Sequence, residues 1–201
     1  MERGFRGCGH RALSACAAIC LAAATFGLSI AGAEDAEVPV RLQIDLLGRV
    51  LPYDRNFAAR AGEELHVLVV IKSDDADSKR LGAQILAELR ARSLLGQVRH
   101  TTELVSFSDA RTLAGLCKAR RAGLVYLSSG LRNELPAIAQ ALRGSDVLSV
   151  ATLADDVKRG AVLGFSASSG KPKLLVQLAQ ARSQHVDFRA DFLRLAQVVT
   201  P

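Results

Sequence analysis

The sequence predicts an α/β fold: one domain built on a mostly parallel sheet flanked by helices on both faces, with a C-terminal antiparallel hairpin and a final helix. Three observations predict it. Short β-branched apolar runs, "LHVLVVI" over Leu65–Ile71 and "GLVYL" over Gly123–Leu127, lack polar alternation and suit strands buried on both faces. Segments of helical periodicity separate them, so consecutive strands run parallel across helical crossovers. Beyond residue 160 the alternation stops, and two apolar stretches flank the turn "SSGKP".

The elements follow in order. Val38–Leu51 carries Leu42, Leu46, Leu47 and Val50 at helical spacing, with Pro39 near its first turn, and should end before Pro52. After the Leu65–Ile71 strand, Ser73, Asp74 or Asp75 caps a helix over Asp77–Arg92, in which Leu81, Ile85 and Leu89 recur every fourth residue. Val98–Val105 alternates as a strand, and Ser108 or Asp109 caps a helix carrying Leu113, Leu116 and Cys117. Gly123–Leu127 is the next strand, and Pro136 opens a helix stopping near Gly144. Val147–Ala151 is a fourth strand, and Asp155–Arg159 a short helical turn. Strands over Ala161–Ala167 and Lys173–Leu178 form the hairpin. A last helix, capped by Asp187, places Phe188, Phe192, Leu195 and Val199 on one face.

The front of the chain carries a different signal. Arg3, Arg6 and Arg11 precede 20 residues without a charge, Ala12–Ala31, and Ala31-Gly32-Ala33 is followed at once by Glu34-Asp35. That is the charged, apolar and small-x-small order of a cleavable export signal, with the cut after Ala33. An uncleaved anchor is the alternative, though alanine dominates the segment and makes it only modestly apolar. The mature protein is expected to begin at Glu34, which intact-mass measurement of protein recovered from outside the cytoplasm would check; a membrane-bound product retaining Met1 would refute it.

A 33-residue leader taken from 201 residues leaves 168, enough for one domain with a sizeable core, here residues 34–201. The net charge falls from +6 to +4 once three arginines and one glutamate leave. No Lys/Arg run appears, aromatics make up 4% and tryptophan is absent, so neither an electrostatic track nor stacking platforms for nucleic acid are present. Cys117 is the single cysteine of the mature chain and sits in an apolar helical pattern, which predicts a buried, inert thiol.

Chemistry-bearing motifs are few. The chain has no GxGxxG, no GxxxxGK[ST] and no GxSxG, since "GFSAS" at Gly164–Ser168 lacks the second glycine. His66, His100 and His185 lie outside metal-ligand spacing, so no metal and no cofactor are expected. Ser166, Ser168 and Ser169 occupy a strand end and a turn, where serine serves the backbone. Val67–Asp77 resembles the acidic loop of receiver domains. However, Leu127, Ser128 and Ser129 stand where the phosphate-accepting aspartate belongs, and Asp74, Asp75 and Asp77 fit a helix N-terminus.

A second resemblance spans about Arg41 to Val199. "LLGRVLPYDRNF" (46–57), "GLVYLSSGL" (123–131), "DVLSVATLADDVKRGAVLGFSASSGKPKLLVQL" (146–178) and "VDFRADFLRLAQVV" (186–199) resemble the YfiR/HmsC-like family. Gly160, Gly164, Leu193, Leu195 and Ala196 match its closing pattern, while Gln177 stands where an asparagine and His185 where a glycine is usual. The resemblance implies a periplasmic, non-enzymatic regulator that binds the periplasmic domain of an inner-membrane signalling protein, a diguanylate cyclase, and restrains cyclic-di-GMP synthesis. It also implies redox sensing through cysteine pairs, which a chain with one mature thiol does not supply.

Two functional classes stay open. For a protein-binding regulator, the first surface is the loop Tyr53, Asp54, Arg55 and Asn56, which combines an aromatic anchor, an arginine and short polar groups. A helix end with an Asx turn and Tyr53 on the core is the structural alternative. The hairpin tip, Ser168, Ser169 and Lys171, is the second surface, and a homodimer is compatible with either. For a one-lobed small-ligand module resembling half of a solute receptor, ligand would sit at the strand carboxyl ends, near Asp74, Ser108, Ser128 and Ser129.

Overall fold

The computed structural model describes residues 37–168 and 170–200; the leader, the cleavage point and Ser169 lie outside the described residues. Its eight helices are α1 (Val40–Val50), α2 (Phe57–Ala61), α3 (Ala76–Arg90), α4 (Ala110–Arg120), α5 (Leu135–Ala141), α6 (Ala154–Lys158), α7 (Leu178–Ser183) and α8 (Ala190–Leu193). The strands are β1 (Glu64–Ile71), β2 (Leu94–Leu95), β3 (Val98–Ser106), β4 (Ala122–Leu127), β5 (Leu148–Ala151), β6 (Leu163–Ser168), β7 (Lys171–Val176) and β8 (Gln197–Val198). They form one sheet in the order β2-β3-β1-β4-β5-β6-β7-β8.

The continuous apolar runs have the expected cause. β1 lies parallel between β3 and β4, with Val67 opposite Thr102 on one side and Leu124 on the other. Its side chains alternate between two cores: Val67 and Val69 pack with Ile44, Leu47, Ile85 and Leu89 of α1 and α3, while Leu68 and Val70 pack with Leu113, Cys117 and Ile138 of α4 and α5. α3 approaches so closely that a Cβ on Gly82 would land on the Ile71 side chain. Of the open cap choices the fold uses Asp75, which accepts from Ser78 N at 2.8 Å, and Asp109, which accepts from Thr112 N at 2.9 Å.

Several expectations are corrected. The antiparallel hairpin β6–β7 forms as expected, but the sheet continues past it, because β8 adds to β7 in parallel, and the opposite edge carries a further antiparallel pair, β2–β3. Ser168 pairs with Lys171 inside the ladder, so both are strand residues and the turn is shorter than "SSGKP" suggests. Gly170 at φ 74° adopts the left-handed backbone that tight hairpin turns require.

The long final helix does not form. Asp187 and Phe188 are extended, α8 spans four residues, and Leu195 is 76% exposed. Phe188 and Phe192 do share one cluster, their rings 4.9 Å apart, but they reach it from a bridge and a short helix.

Two helices were hidden from periodicity. α2 occupies what reads as the end of a loop. α7 turns Gln180 inward, and Gln184, which caps its C-terminus, is buried as well; buried glutamines do not register as an apolar face. Gln180 Nε2 donates to Ala139 O at 2.9 Å, and Gln184 Oε1 accepts from Ser149 Oγ at 3.0 Å, while the buried Gln184 Nε2 has no partner among the described residues.

Candidate functional site

The loop after α1 is pinned to the C-terminal segment His185–Arg189. Tyr53 ends a 3-10 turn with Pro52 inside it, and Asp54 then pairs with Phe188 as an isolated antiparallel bridge. Arg55 N donates to Asp187 O at 2.9 Å, and Arg189 N donates to Tyr53 O at 2.9 Å.

At the centre lies a buried ion pair. The side chains of Asp54 and Arg60 are 0% and 2% exposed and in direct contact. Asp54 Oδ1 also accepts from Asn56 N at 3.1 Å and Asp187 N at 2.9 Å, which holds the Asp187 backbone extended where a helix cap was expected. Arg60 donates from Nε to Asp146 O at 2.9 Å and from Nη2 to His185 O at 3.0 Å, so one guanidinium ties α2 to the start of β5 and the C-terminal segment.

Above this clasp lies a rim. Arg55 is exposed and donates to Asp187 Oδ2 at 3.1 Å; Asn56 is exposed and donates to His185 O at 2.8 Å. Tyr53 is half-buried, its ring 5.8 Å from Phe192 with the Arg189 guanidinium 5.4 Å from its centroid. Thus Tyr53, Arg55 and Asn56 offer surface, whereas Asp54 faces inward. At the hairpin, Ser168 is half-buried and Lys171 exposed. The structure therefore joins Arg60, Asp146 and His185 to the loop, three residues that sequence reasoning did not nominate there.

The strand carboxyl ends form a separate network. Lys72 N donates to Ser78 Oγ at 2.9 Å, Ser78 and Ser128 hydroxyls lie 2.6 Å apart, and Ser128 Oγ donates to Ser129 O at 3.3 Å. Lys72 Nζ meets Glu134 Oε1 at 2.7 Å, and that hydrogen bond raises the lysine pKa. Ser128 is fully buried and internally satisfied, while Asp74 and Ser108 are exposed and apart from it. Ser129 lines a cavity of about 360 Å³ with Gln43, Thr152, Asp77 and Arg80, and the buried Thr152 hydroxyl has no hydrogen-bond partner.

Cys117 is buried in the α4–α5 core, as its apolar neighbours predict, and burial pushes its thiol pKa up to about 11. Among the described residues no group of three or more His, Cys, Asp or Glu is placed to hold a metal, and no helix is long and apolar enough to cross a membrane.

The sequence profile of the YfiR/HmsC-like family matches residues 56–197. The chain belongs to this family. Two departures of the YfiR/HmsC-like chain from the family pattern now have a physical reading. His185 has φ 53°, a left-handed backbone that glycine adopts without strain. Gln177 donates its buried carboxamide to Val157 O at 3.0 Å, a contact of α6 with the end of β7 that a terminal amide serves.

No curated protein matches the chain by sequence. Among solved structures, it is similar to an ABC domain in complex with L-Trp from Streptococcus pneumonia (TM-score 0.57, 11% identity, covering 80% of this chain and 62% of that one). It is also similar to a ligand-free, open substrate-binding protein with adhesive properties from Clostridium difficile (0.55, 10%, 81% and 60%). A third is a conserved domain protein from Vibrio cholerae O1 biovar El Tor (0.52, 13%, 82% and 60%). These likenesses establish the fold, and the chain spans about three fifths of their lengths.

Proposed function

We propose that this protein is a non-enzymatic periplasmic regulator, exported by the 1–33 leader, that binds the periplasmic domain of an inner-membrane diguanylate cyclase and restrains cyclic-di-GMP signalling. Membership of the YfiR/HmsC-like family over residues 56–197 carries this reading. The rim of Tyr53, Arg55 and Asn56 is the first contact surface, positioned from beneath by buried Asp54, and Ser168, Ser169 and Lys171 form the second.

Arg55 decides between them. Its side chain is 59% exposed and its ion pair with Asp187 is a surface pair, which contributes little to folding. Arg55→Ala is expected to weaken binding to the periplasmic segment of a cyclase encoded beside this gene by more than about 1 kcal/mol, roughly fivefold, with an unchanged melting temperature. Unchanged affinity would remove the rim and leave the hairpin.

A second reading has its own support. The unpartnered Thr152 hydroxyl in a cavity at the strand carboxyl ends suits a small polar solute, held by one lobe of a receptor-like fold. A melting shift on adding such a solute, without cyclase binding, would favour it.

A further inference from the structure

At the end of the sheet opposite the Ser128 network lies an open groove of about 1180 Å³, bounded by α2 and the α2–β1 turn on one side and α4 on the other. α4 turns Arg111, Ala114, Gly115 and Lys118 toward it, and Arg121, the left-handed residue closing that helix, continues the line. This is the i, i+3, i+4, i+7 stripe of one helix face, with cations at its ends and the smallest side chains between.

Charge is unbalanced along this wall. Arg111, Lys118 and Arg121, with Arg143 across the groove, make no ion pair among the described residues, whereas neighbouring Arg120 pairs with Glu103 and Arg60 with Asp54. The acids of the groove sit elsewhere: Glu63 and Glu64 on the opposite side, and Asp146 against His185 at 2.9 Å.

We propose that this groove docks an acidic segment of a partner protein, its carboxylates against Arg111, Lys118 and Arg121 and its backbone against Ala114 and Gly115. Arg111 and Lys118 are seven residues apart, about 10 Å along the helix, the reach of two helical turns or a short extended stretch. A Cβ on Gly115 would meet nothing within 4 Å, so a main chain can lie close there. The cations are strung along a ridge and converge on no point, which suits a chain better than one small anion. A second copy of this basic chain would bring its own excess of cations to the same wall. The groove also adjoins the rim, since α2 carries Arg60 of the clasp and lines the groove with its last residues.

The inference rests on the regulator reading, because it assigns the chemistry of the segment such a partner presents. Its test uses the purified protein, a short fluorescein-labelled peptide of Glu-Ala repeats and the Gln-Ala counterpart. Binding of the acidic peptide alone is expected. Arg111→Glu with Lys118→Gln should weaken it about tenfold, and Lys79→Glu with Arg90→Glu, exposed cations of α3 outside the groove, should leave it unchanged.

Gly115→Leu separates docking from folding. Leucine is the better helix former, so the melting temperature should rise while the filled groove loses peptide about tenfold. Four results would each overturn the docking site: equal losses from groove and α3 variants, equal binding of the Gln-Ala peptide, full competition by inorganic phosphate, or self-association that the groove variants abolish. Peptide binding that obeys the groove variants without any binding of a cyclase segment would retain the groove and remove the regulator reading. Cyclase binding indifferent to the groove variants would do the reverse.

Discussion

Arg60→Ala is expected to destabilise the domain by about 3 to 5 kcal/mol, because it strands a carboxylate that the fold buries completely. The guanidinium is the counter-ion of Asp54 and donates to the carbonyl oxygens of Asp146 and His185; Asp54 Oδ1 keeps its two amide donors and His185 O keeps Asn56, but the buried carboxylate loses its cation and Asp146 O the Arg60 donor. A loss of that size is a large share of the 5 to 15 kcal/mol typical of a domain's whole stability. Asp54→Ala should cost a similar amount through the amides of Asn56 and Asp187, which then lose their acceptor. The double variant should cost much less than the sum, since the two residues act as one unit. Urea denaturation measures all three. A cost below about 1 kcal/mol for Arg60→Ala would show that water satisfies the site and that the clasp does not hold the C-terminal segment.

Asp156→Asn is expected to act in the opposite direction. Asp156 on α6 is 2% exposed and its Oδ1 has no hydrogen-bond partner. Burial pushes its pKa up to about 6, against the pull of Arg132 and Arg159 and with a further push from Asp155. The folded state therefore takes up a proton near pH 6, and the unfolded chain only near 3.8. The folded protein binds more protons between those values, so stability rises as pH falls through 6, is fully gained below the unfolded value, and is lost again as pH rises through 6. The rise from 3.8 to 6 at about 1.4 kcal/mol per pH unit sets an upper bound near 3 kcal/mol at pH 7. Asparagine keeps the shape without the charge. It should recover much of that figure at pH 7 and flatten the slope between pH 5 and 7, as chemical denaturation at several pH values would show. Parallel slopes for the two proteins would contradict the assignment.

The sequence by itself determined the layered α/β core, because both cores are built from local periodicities. β1 from Val67 to Ile71 and the whole of β4 are apolar at consecutive positions since a parallel sheet covered on both faces buries both faces of its central strands. α3 and α4 were legible through acidic caps three residues from the amides they receive, a spacing that any helix start imposes. The lone thiol was equally readable from its apolar neighbours.

The clasp and the groove were decided only by the tertiary structure. Arg60 meets Asp146 across 86 residues and His185 across 125, and no local pattern marks two carbonyl groups as the partners of one arginine. The same long-range pairing overrode a local signal. Phe188 and Phe192 have helical spacing, but Asp54 captures the Asp187 amide and holds that backbone extended, so a helix plausible in isolation is cut to one turn. Burying the Asp54–Arg60 pair requires every remaining hydrogen bond around it, and that requirement outweighs the small propensity differences from which a helix is read.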